Sequence, residues 1–158
     1  MNKTVALEAL SASNWLKVCA MSVGDEQKSY FTVPNVFWIG ISRYEEKSEL
    51  FAIKADDEYV GLIGGGFDED GITGYINPFM IDFHHQKNGY AKPAIRLMID
   101  YLHQNLGVGK ININHHKENM IAGKIYESLG FFVYNETENE YQRSLDLLMH
   151  EAAPDEQL

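Results

Sequence analysis

Residues 76–102 read INPFMIDFHHQKNGYAKPAIRLMIDYL and place a strand, a short loop and a helix in direct succession. The apolar residues predict a strand over Ile72–Phe83 and, at helical spacing, a helix over Tyr90–Gln104. The loop between them, QKNGYA, directs several backbone N–H groups and the positive end of the helix towards one point. The stretch therefore predicts an anion-binding loop, and the alternative is an ordinary strand-to-helix turn with solvated lysines.

Small and basic residues favour anion binding at this loop. Gly89 and Ala91 leave room for a phosphate to approach the backbone. Positive charge comes from three nearby side chains: Lys87, Lys92 and Arg96.

Within the preceding strand, Asn77-Pro78 predicts an edge or a bulge, because proline cannot donate to a sheet ladder. A bulge at this point would turn backbone N–H groups of residues 79–82 towards a cleft.

The rest of the chain predicts further strands and helices on either side of this unit. The predicted strands are Val5–Leu10, Leu50–Lys54, Glu58–Phe67, Ile72–Phe83, Lys110–Asn114, Phe131–Tyr134 and Glu140–Leu145. The predicted helices run from Ser11 or Ser13 to Ser22, from Pro34 to Glu46, from Tyr90 to Gln104 and from Glu118 to Leu129. The order β-α-α-β-β-β-α-β-α-β-β predicts an α/β fold with a mixed, mostly antiparallel sheet, in which residues 72–114 form a right-handed parallel crossover.

Length and composition indicate one globular domain. The chain has 158 residues, and we expect a single domain over 1–148 with a loosely attached tail over 149–158. Apolar residues at 45% and charged residues at 23% exclude fibrous and disordered classes. The lone Cys19 excludes a disulfide framework and a multi-cysteine metal site. No apolar run predicts a membrane span or a signal peptide, so a cytoplasmic protein is expected.

The chain carries a formal net charge of −10. A field of that sign repels nucleic acid and anionic membranes, and it attracts cationic ligands. We therefore expect neither nucleic acid nor membrane as a partner. The alternative interpretation of the charge is solubility alone.

A second informative stretch is HHKENMIAGKIYESLGFFVY, residues 115–134. Asn119 lies near the start of the predicted helix, and Tyr126 follows seven residues later on the same face. On its own, a tyrosine at this spacing is more typical of an amphipathic core.

Together the two stretches resemble the GNAT superfamily of N-acetyltransferases. The resemblance rests on the patterns Gln86-x-x-Gly89-x-Ala91 and Asn119-x-x-Ala122-x-x-x-Tyr126-x-x-x-Gly130-Phe131. It covers residues 4–146 in element order. A closer resemblance, to the bacterial spermine/spermidine acetyltransferases, rests on Asn14-Trp15, Gln27, Phe31-x-x-Pro34-Asn35 and Phe79-Met80-Ile81-Asp82.

The resemblance implies a GNAT fold in which a splayed parallel strand pair binds acetyl-CoA as co-substrate, with no metal required. The residues that it assigns to acetyl-CoA are Met80, Ile81, Asp82, Gln86, Lys87, Asn88, Gly89, Tyr90, Ala91, Lys92 and Asn119. An amine would attack the thioester directly, a backbone N–H near Met80 or Ile81 would stabilise the oxyanion, and Tyr126 would protonate the departing thiolate. A homodimer is a further implication of the family.

The acceptor expected from this resemblance is a small cationic amine, with spermidine or spermine first. Four acids are the expected acceptor contacts: Glu26, Glu45, Glu46 and Glu49. The alternatives are another amine, such as an aminoglycoside or a protein N-terminus, and a non-catalytic acyl-CoA-binding regulatory protein. Asn77 stands where related enzymes often have a glutamate, so Asp82, Glu118 and a water chain all remain open as the general base.

Two other patterns carry less weight. The run Gly64-Gly65-Gly66 leads into a turn and not a helix, so close backbone packing explains it better than nucleotide binding. The pairs His84-His85 and His115-His116 follow two strands that are expected to be parallel neighbours. They would lie near the cleft either as polar lining or, less typically, as metal ligands.

Overall fold

All seven predicted strands and four predicted helices form in the predicted order in the computed structural model, which describes residues 3–148. The strands are β1 (Val5–Ala9), β2 (Ser48–Ala55), β3 (Glu58–Phe67), β4 (Thr73–Ile81), β5 (Lys110–His116), β6 (Phe132–Glu136) and β7 (Glu140–Asp146). The helices are α1 (Trp15–Cys19), α2 (Asn35–Tyr44), α3 (Ala91–Leu106) and α4 (Met120–Ser128). Two short 3-10 helices, Asp25–Gln27 and Phe83–His85, also form. The predicted tail over 149–158 lies outside the described residues.

One sheet contains all of these strands, in the spatial order β1-β2-β3-β4-β5-β7-β6. Only β4 and β5 pair in parallel, and every other neighbouring pair is antiparallel. The predicted mixed, mostly antiparallel α/β fold is confirmed. Helix α3 connects the two parallel strands, so its first turn lies beside the point where β4 ends.

Helices cover the two faces of the sheet unequally. Helix α3 buries one stripe of apolar side chains against the larger core: Ala94, Ile95, Met98, Ile99 and Leu102. Gly107, at φ 70°, ends it in the left-handed conformation that glycine adopts most readily. Helices α1 and α2 cover the opposite face, where Val18, Leu62 and Met80 belong to a smaller core.

The first helix is shorter than predicted because two asparagine side chains bind the backbone around it. Asn14 accepts a hydrogen bond from the Ser11 N–H over 2.8 Å and donates to the Ala9 carbonyl over 3.0 Å, which makes residues 11–14 a turn. The amide of the buried Asn35 donates to the Val18 carbonyl over 2.8 Å. These contacts restrict α1 to five residues.

The prediction that the second histidine pair follows a strand is wrong. His115 and His116 are the last two residues of β5 and pair with Tyr141 and Glu140. Strand β7 is long enough to extend the ladder through both histidines. Successive residues of a strand point to opposite faces, so the two rings lie on different sides of the sheet.

Candidate active site

A cleft opens where β4 and β5 separate. The two strands pair only over Thr73–Tyr75 and Lys110–Asn112. Beyond these pairs, the edge of β4 over Ile76–Ile81 faces a cavity of about 380 Å³. The predicted splayed parallel pair is therefore present.

The bulge predicted at Asn77-Pro78 is also present. The register between β3 and β4 shifts between Ile63 and Gly65, so that Asn77 and Pro78 lie opposite Gly64. The Asn77-Pro78 bond is cis. A Cβ atom on Gly64 would lie only 3.0 Å from the Pro78 Cδ atom, so this position of the glycine run allows close packing.

The direction of the β4 backbone beyond the bulge follows from one hydrogen bond. The N–H of Asp82 donates to the Val60 carbonyl of β3 over 2.8 Å. Alternate residues of a strand direct their N–H groups to opposite neighbours. The N–H of Met80 therefore also points to β3, while the N–H groups of Phe79 and Ile81 point into the cleft. The donors available in the cleft are therefore those of Phe79 and Ile81.

The cavity brings together most of the residues predicted from the sequence. The predicted residues that line it are Glu26, Met80, Ile81, Gln86, Lys87, Gly89, Tyr90, Ala91, Asn119 and Tyr126. The predicted residues that do not line it are Glu45, Glu46, Glu49, Asp82, Asn88 and Lys92. Asn119 also fixes the start of α4, because its Oδ1 atom accepts a hydrogen bond from the Ala122 N–H over 3.3 Å.

Side-chain amides hold the QKNGYA loop in place. The Gln86 Nε2 atom donates to the Ile81 carbonyl over 3.0 Å and to the Gln27 Oε1 atom over 2.7 Å. The Asn88 Nδ2 atom donates to the carbonyls of His85 and Gln86 over 2.9 and 3.1 Å. Asn88 therefore stabilises the loop from outside the cavity.

The backbone of the same loop offers a group of hydrogen-bond donors. Lys87 and Gly89 have φ angles of 63° and 77°, which turn the chain tightly before α3 begins at Ala91. Within residues 3–148, the N–H groups of residues 87–92 donate to no backbone or side-chain acceptor. Such a set of donors at a helix N-terminus can bind a phosphate group.

Tyr126 is a buried phenol that lines the cavity from α4. Its side chain is 5% exposed and packs against the rings of His115 and Phe131, with centroid distances of 5.6 and 6.0 Å. Burial raises the pKa of this phenol well above its usual value, so the hydroxyl carries its proton at neutral pH. It can act as a proton donor to a stronger base in the cleft.

The carboxylates are distributed unevenly around the site. Glu26 lines the cavity, and it is the one Asp or Glu among the described residues that does so. Glu45 and Glu46 are exposed beyond the end of α2. Glu49 lies near Tyr101 of α3, on the sheet face opposite α2, and its negative charge helps to raise the pKa of the Tyr101 phenol after burial, the main cause. Of the four predicted acceptor contacts, only Glu26 lies at the cleft.

Neither carboxylate considered as a general base lines the cavity. The oxygens of Asp82 accept hydrogen bonds from the N–H groups of Ser22 and His84, over 3.1 and 3.3 Å. Glu118 is exposed outside the cavity. Asn77 does line the cavity, and its amide cannot serve as a base.

Three of the four paired histidines line the cavity: His85, His115 and His116. Burial is the main cause that lowers the pKa of His115, which favours a neutral ring. His116 stacks on Tyr30 with a centroid distance of 5.0 Å. No group of three or more His, Cys, Asp or Glu side chains within residues 3–148 is arranged to hold a metal ion.

Some lining residues were not predicted as site residues. They include Gln27, Tyr30 and Phe31 from the segment before α2, and Asn114 and His115 from β5. Nothing local in the sequence shows that residues 27–31 reach the β4 edge, because α2, β2 and β3 lie between these two segments in the chain. Ile111 and Ile113 alternate with polar residues along β5. This alternation indicates that His115, two positions further on, faces inward as they do.

No helix in the described part of the chain is long and apolar enough to cross a membrane.

Comparison with known proteins identifies similar sequences and folds. The family model described as Acetyltransferase (GNAT) family matches residues 11–131. No curated protein sequence matches the chain.

Several solved structures share the fold at low sequence identity. A spermidine N-acetyltransferase from Vibrio cholerae, in complex with CoA and spermine, superposes with a TM-score of 0.78 at 16% identity, covering 91% of this chain and 96% of its own. The N-acetyltransferase PseH from Campylobacter jejuni, in complex with acetyl coenzyme A, has a TM-score of 0.69 at 15% identity, covering 90% and 99%. A domain from Methanocaldococcus jannaschii has a TM-score of 0.75 at 16% identity, covering 92% and 100%. At identities this low, the superpositions establish a common fold alone.

Proposed function

The chain belongs to the GNAT family of acetyltransferases, and we propose that it transfers acetyl from acetyl-CoA to a primary amine of a small cationic acceptor, with spermidine or spermine first. The observation that carries the proposal is the cleft itself. Lys87, Gly89, Tyr90 and Ala91 line it, and their N–H groups find no acceptor within residues 3–148; the phenol of Tyr126 lines the same cavity. An acetyl donor with a phosphate-bearing handle fits both features.

The chain's own residues fit acetyl-CoA in two places. The N–H groups of residues 87–92, which have no acceptor in the part of the chain that the structure describes, would hold the pyrophosphate at the positive end of α3. The open edge of β4 would hold the extended pantetheine arm as an added strand. When bound, acetyl-CoA supplies an activated acetyl thioester, and the N–H group of either Phe79 or Ile81 would donate to its carbonyl oxygen.

Tyr126 would give its proton to the departing sulfur. The hydroxyl is protonated at neutral pH because burial disfavours the phenolate. The departing thiolate would be buried in the same cleft, and burial disfavours its charged form just as it disfavours the phenolate, so the phenol can give it a proton. This role follows the family pattern that ends in Tyr126 and Gly130-Phe131.

Removal of a proton from the ammonium group would proceed through water. Both Asp82 oxygens already accept backbone N–H groups, and Glu118 lies outside the cavity. Three polar side chains on the acceptor side of the cleft can support a water chain: Asn77, Asn114 and His116. The sequence left three routes open, and the positions of Asp82 and Glu118 outside the cavity favour the route through water.

The acceptor would enter beside the segment before α2. Glu26 supplies a carboxylate there, while the rings of Tyr30 and Phe31 suit an alkyl chain between charged groups. The net charge of −10 attracts cations to the surface, which supports a polyamine. Because Glu26 is the one carboxylate among the described residues that lines the cleft, an amine with a single positive charge is the second candidate.

A thiol-release assay with a panel of amines tests the proposal. We expect acetyl-CoA cleavage that depends on spermidine or spermine, with a product acetylated on nitrogen. A singly charged primary amine and a peptide with a free N-terminus are the comparison acceptors. Cleavage with only one of these comparison acceptors would overturn the polyamine assignment, and no amine-dependent cleavage at all would overturn the proposed activity.

A further inference from the structure

His115 occupies a fixed position beside the Tyr126 ring. It is 7% exposed, and its ring centroid lies 5.6 Å from that of Tyr126. Its Nδ1 atom lies 3.0 Å from the His116 carbonyl oxygen, which can only accept. Its Nε2 atom lies 2.9 Å from the Arg143 Nε atom, which can only donate. The ring is therefore neutral, with its proton on Nδ1.

Arg143 joins the two groups that pack on Tyr126. Its Nε–H binds His115 from β7, and its Nη1 atom donates to the Phe131 carbonyl over 3.4 Å. Phe131 follows α4, and its N–H returns to the Tyr126 carbonyl over 3.0 Å. One guanidinium thus links β5, β7 and the end of α4 around the phenol.

Helix α4 approaches this pair closely at a glycine. A Cβ atom on Gly123 would lie 3.0 Å from the His115 Cε1 atom and 3.5 Å from the Arg143 Nη2 atom. Gly123 is one turn before Tyr126 on the same helix. A larger residue at 123 would therefore push on His115, which contacts Tyr126, and on Arg143, which binds His115.

We propose that His115 and Arg143 are positioning residues that fix the direction of the Tyr126 hydroxyl in the cleft, an inference that rests on the proposed role of Tyr126 as proton donor. The neutral His115 ring and the Phe131 ring both pack on the phenol, and Arg143 binds His115 and the Phe131 carbonyl. The titratable or charged groups that interact with His115 are Arg143, Glu140 and Tyr141 of β7, His116 of β5 and Tyr126 of α4. The guanidinium favours the unprotonated Nε2 atom that accepts from it.

Kinetics of single and double variants test this coupling. His115→Leu is expected to lower kcat about tenfold while the KM for acetyl-CoA stays within about twofold. In a Tyr126→Phe background the same change is expected to have almost no further effect, because there is no hydroxyl left to direct. His115→Gln, whose amide oxygen can still accept from Arg143, is expected to restore most of the lost kcat.

Two kinetic results would overturn the proposal. One is an equal loss from His115→Leu in both backgrounds, which is the behaviour of a residue that only stabilises the fold. The other is an unchanged kcat in His115→Leu while Tyr126→Phe is impaired. If Tyr126→Phe itself is unimpaired, the proposed function of Tyr126 fails first, and that result is distinct from the other two.

NMR of the ligand-free protein provides a readout that does not require turnover. Nitrogen-15 shifts are expected to show His115 as the neutral Nδ1–H tautomer, and Arg143→Met is expected to mix the tautomers. With labelled tyrosine, His115→Leu and Gly123→Ala are expected to move the Tyr126 ring signals and leave those of the exposed Tyr134 in place. An Nε2–H tautomer in the wild type, or unmoved Tyr126 signals in both variants, would contradict the proposal.

Discussion

The side chain of Gln86 donates a hydrogen bond of 2.7 Å to the Gln27 Oε1 atom, across 59 positions of the sequence. Gln86 begins the anion-binding loop before α3, and Gln27 belongs to the segment that lines the acceptor side of the cleft. The same Gln86 amide also donates to the Ile81 carbonyl over 3.0 Å. One side chain therefore connects the loop, the end of β4 and the acceptor segment.

Loss of these bonds should weaken acetyl-CoA binding. Gln86→Ala removes both, and at about 0.5–1.5 kcal/mol for each hydrogen bond the Kd for acetyl-CoA should rise about tenfold. Gln27→Ala removes one, and the rise should be about threefold. Titration calorimetry measures both, with Gln104→Ala on the exposed end of α3 as the matched control. An unchanged Kd in Gln86→Ala would show that the loop keeps its shape without this side chain.

Backbone geometry makes Gly89 a sensitive position for acetyl-CoA binding. Its φ of 77° is strained for a β-branched residue, so Gly89→Val should distort the loop and raise the Kd at least tenfold, about 1.4 kcal/mol. Gly71 has a φ of 68° in the turn between β3 and β4, away from the cleft, so Gly71→Val is the control of equal strain. Calorimetry on both variants separates strain from binding. If Gly71→Val weakens binding as much as Gly89→Val, the loop assignment is wrong.

Local patterns in the sequence were sufficient to predict most of the fold. The predicted helices over Tyr90–Gln104 and Glu118–Leu129 depend on patterns of neighbouring residues, and both form. The length of α1 was not predictable locally, because Asn35, 17 positions beyond Val18, binds the carbonyl near its end. The extension of β5 through His116 likewise depends on how far β7 pairs with it.

The candidate site was predictable where its chemistry is backbone and sequential. The loop over residues 86–91 and the bulge at Asn77-Pro78 follow from glycine and proline, whose effects are local. The acceptor side of the cleft was harder to predict. Glu45 and Glu46 were expected there together with Glu26 because of their negative charge and their place near the end of α2. Only Glu26 lines it, since the segment before α2 and not the end of α2 faces the β4 edge.

Glu26 should contribute to binding of a cationic acceptor. An exposed ion pair is worth about 0.2–1 kcal/mol, so Glu26→Gln should raise the KM for spermidine by up to about fivefold and flatten its dependence on salt. Simultaneous replacement of Glu45, Glu46 and Glu49 by Gln removes more charge away from the cleft and is the matched control. Initial rates over a range of salt concentrations distinguish the two variants. A larger effect in the triple variant would show that the overall field, and not a local contact, attracts the amine.

The carboxylate of Asp70 should make the stability of the turn before β4 depend on pH. It accepts hydrogen bonds from the backbone N–H groups of Thr73 and Ile72, each over 2.8 Å, and from the Thr73 hydroxyl over 2.7 Å. These bonds, with the Thr73 backbone N–H first, lower the pKa of Asp70 from 3.8 to about 2. A pKa that is lower in the folded state stabilises the fold above about pH 4 and loses its effect as the pH falls towards 2.

Asp70→Asn should accordingly unfold at a lower temperature than the wild type near neutral pH, by a few degrees. The difference should narrow as the pH decreases from about 4 towards 2. Thermal unfolding followed by circular dichroism measures it. Asp68→Asn is the control in the same turn, since the Asp68 side chain makes no hydrogen bond within the described residues. A difference that stays constant over this pH range would show that the Asp70 pKa is not lowered.

The rate of amine-dependent thiol release by Tyr126→Phe tests the central claim most directly. At saturating acetyl-CoA and spermidine, or the best amine of the panel, the variant should turn over about ten- to a thousandfold more slowly than the wild type, the range around typical acid catalysis. Its Kd for acetyl-CoA should be nearly unchanged, because the hydroxyl matters mainly when charge develops on the sulfur. Tyr134→Phe on the exposed strand β6 should match the wild type. Equal turnover by Tyr126→Phe and the wild type would contradict the account, because Tyr126 would then be a packing residue and not the proton donor of the cleft.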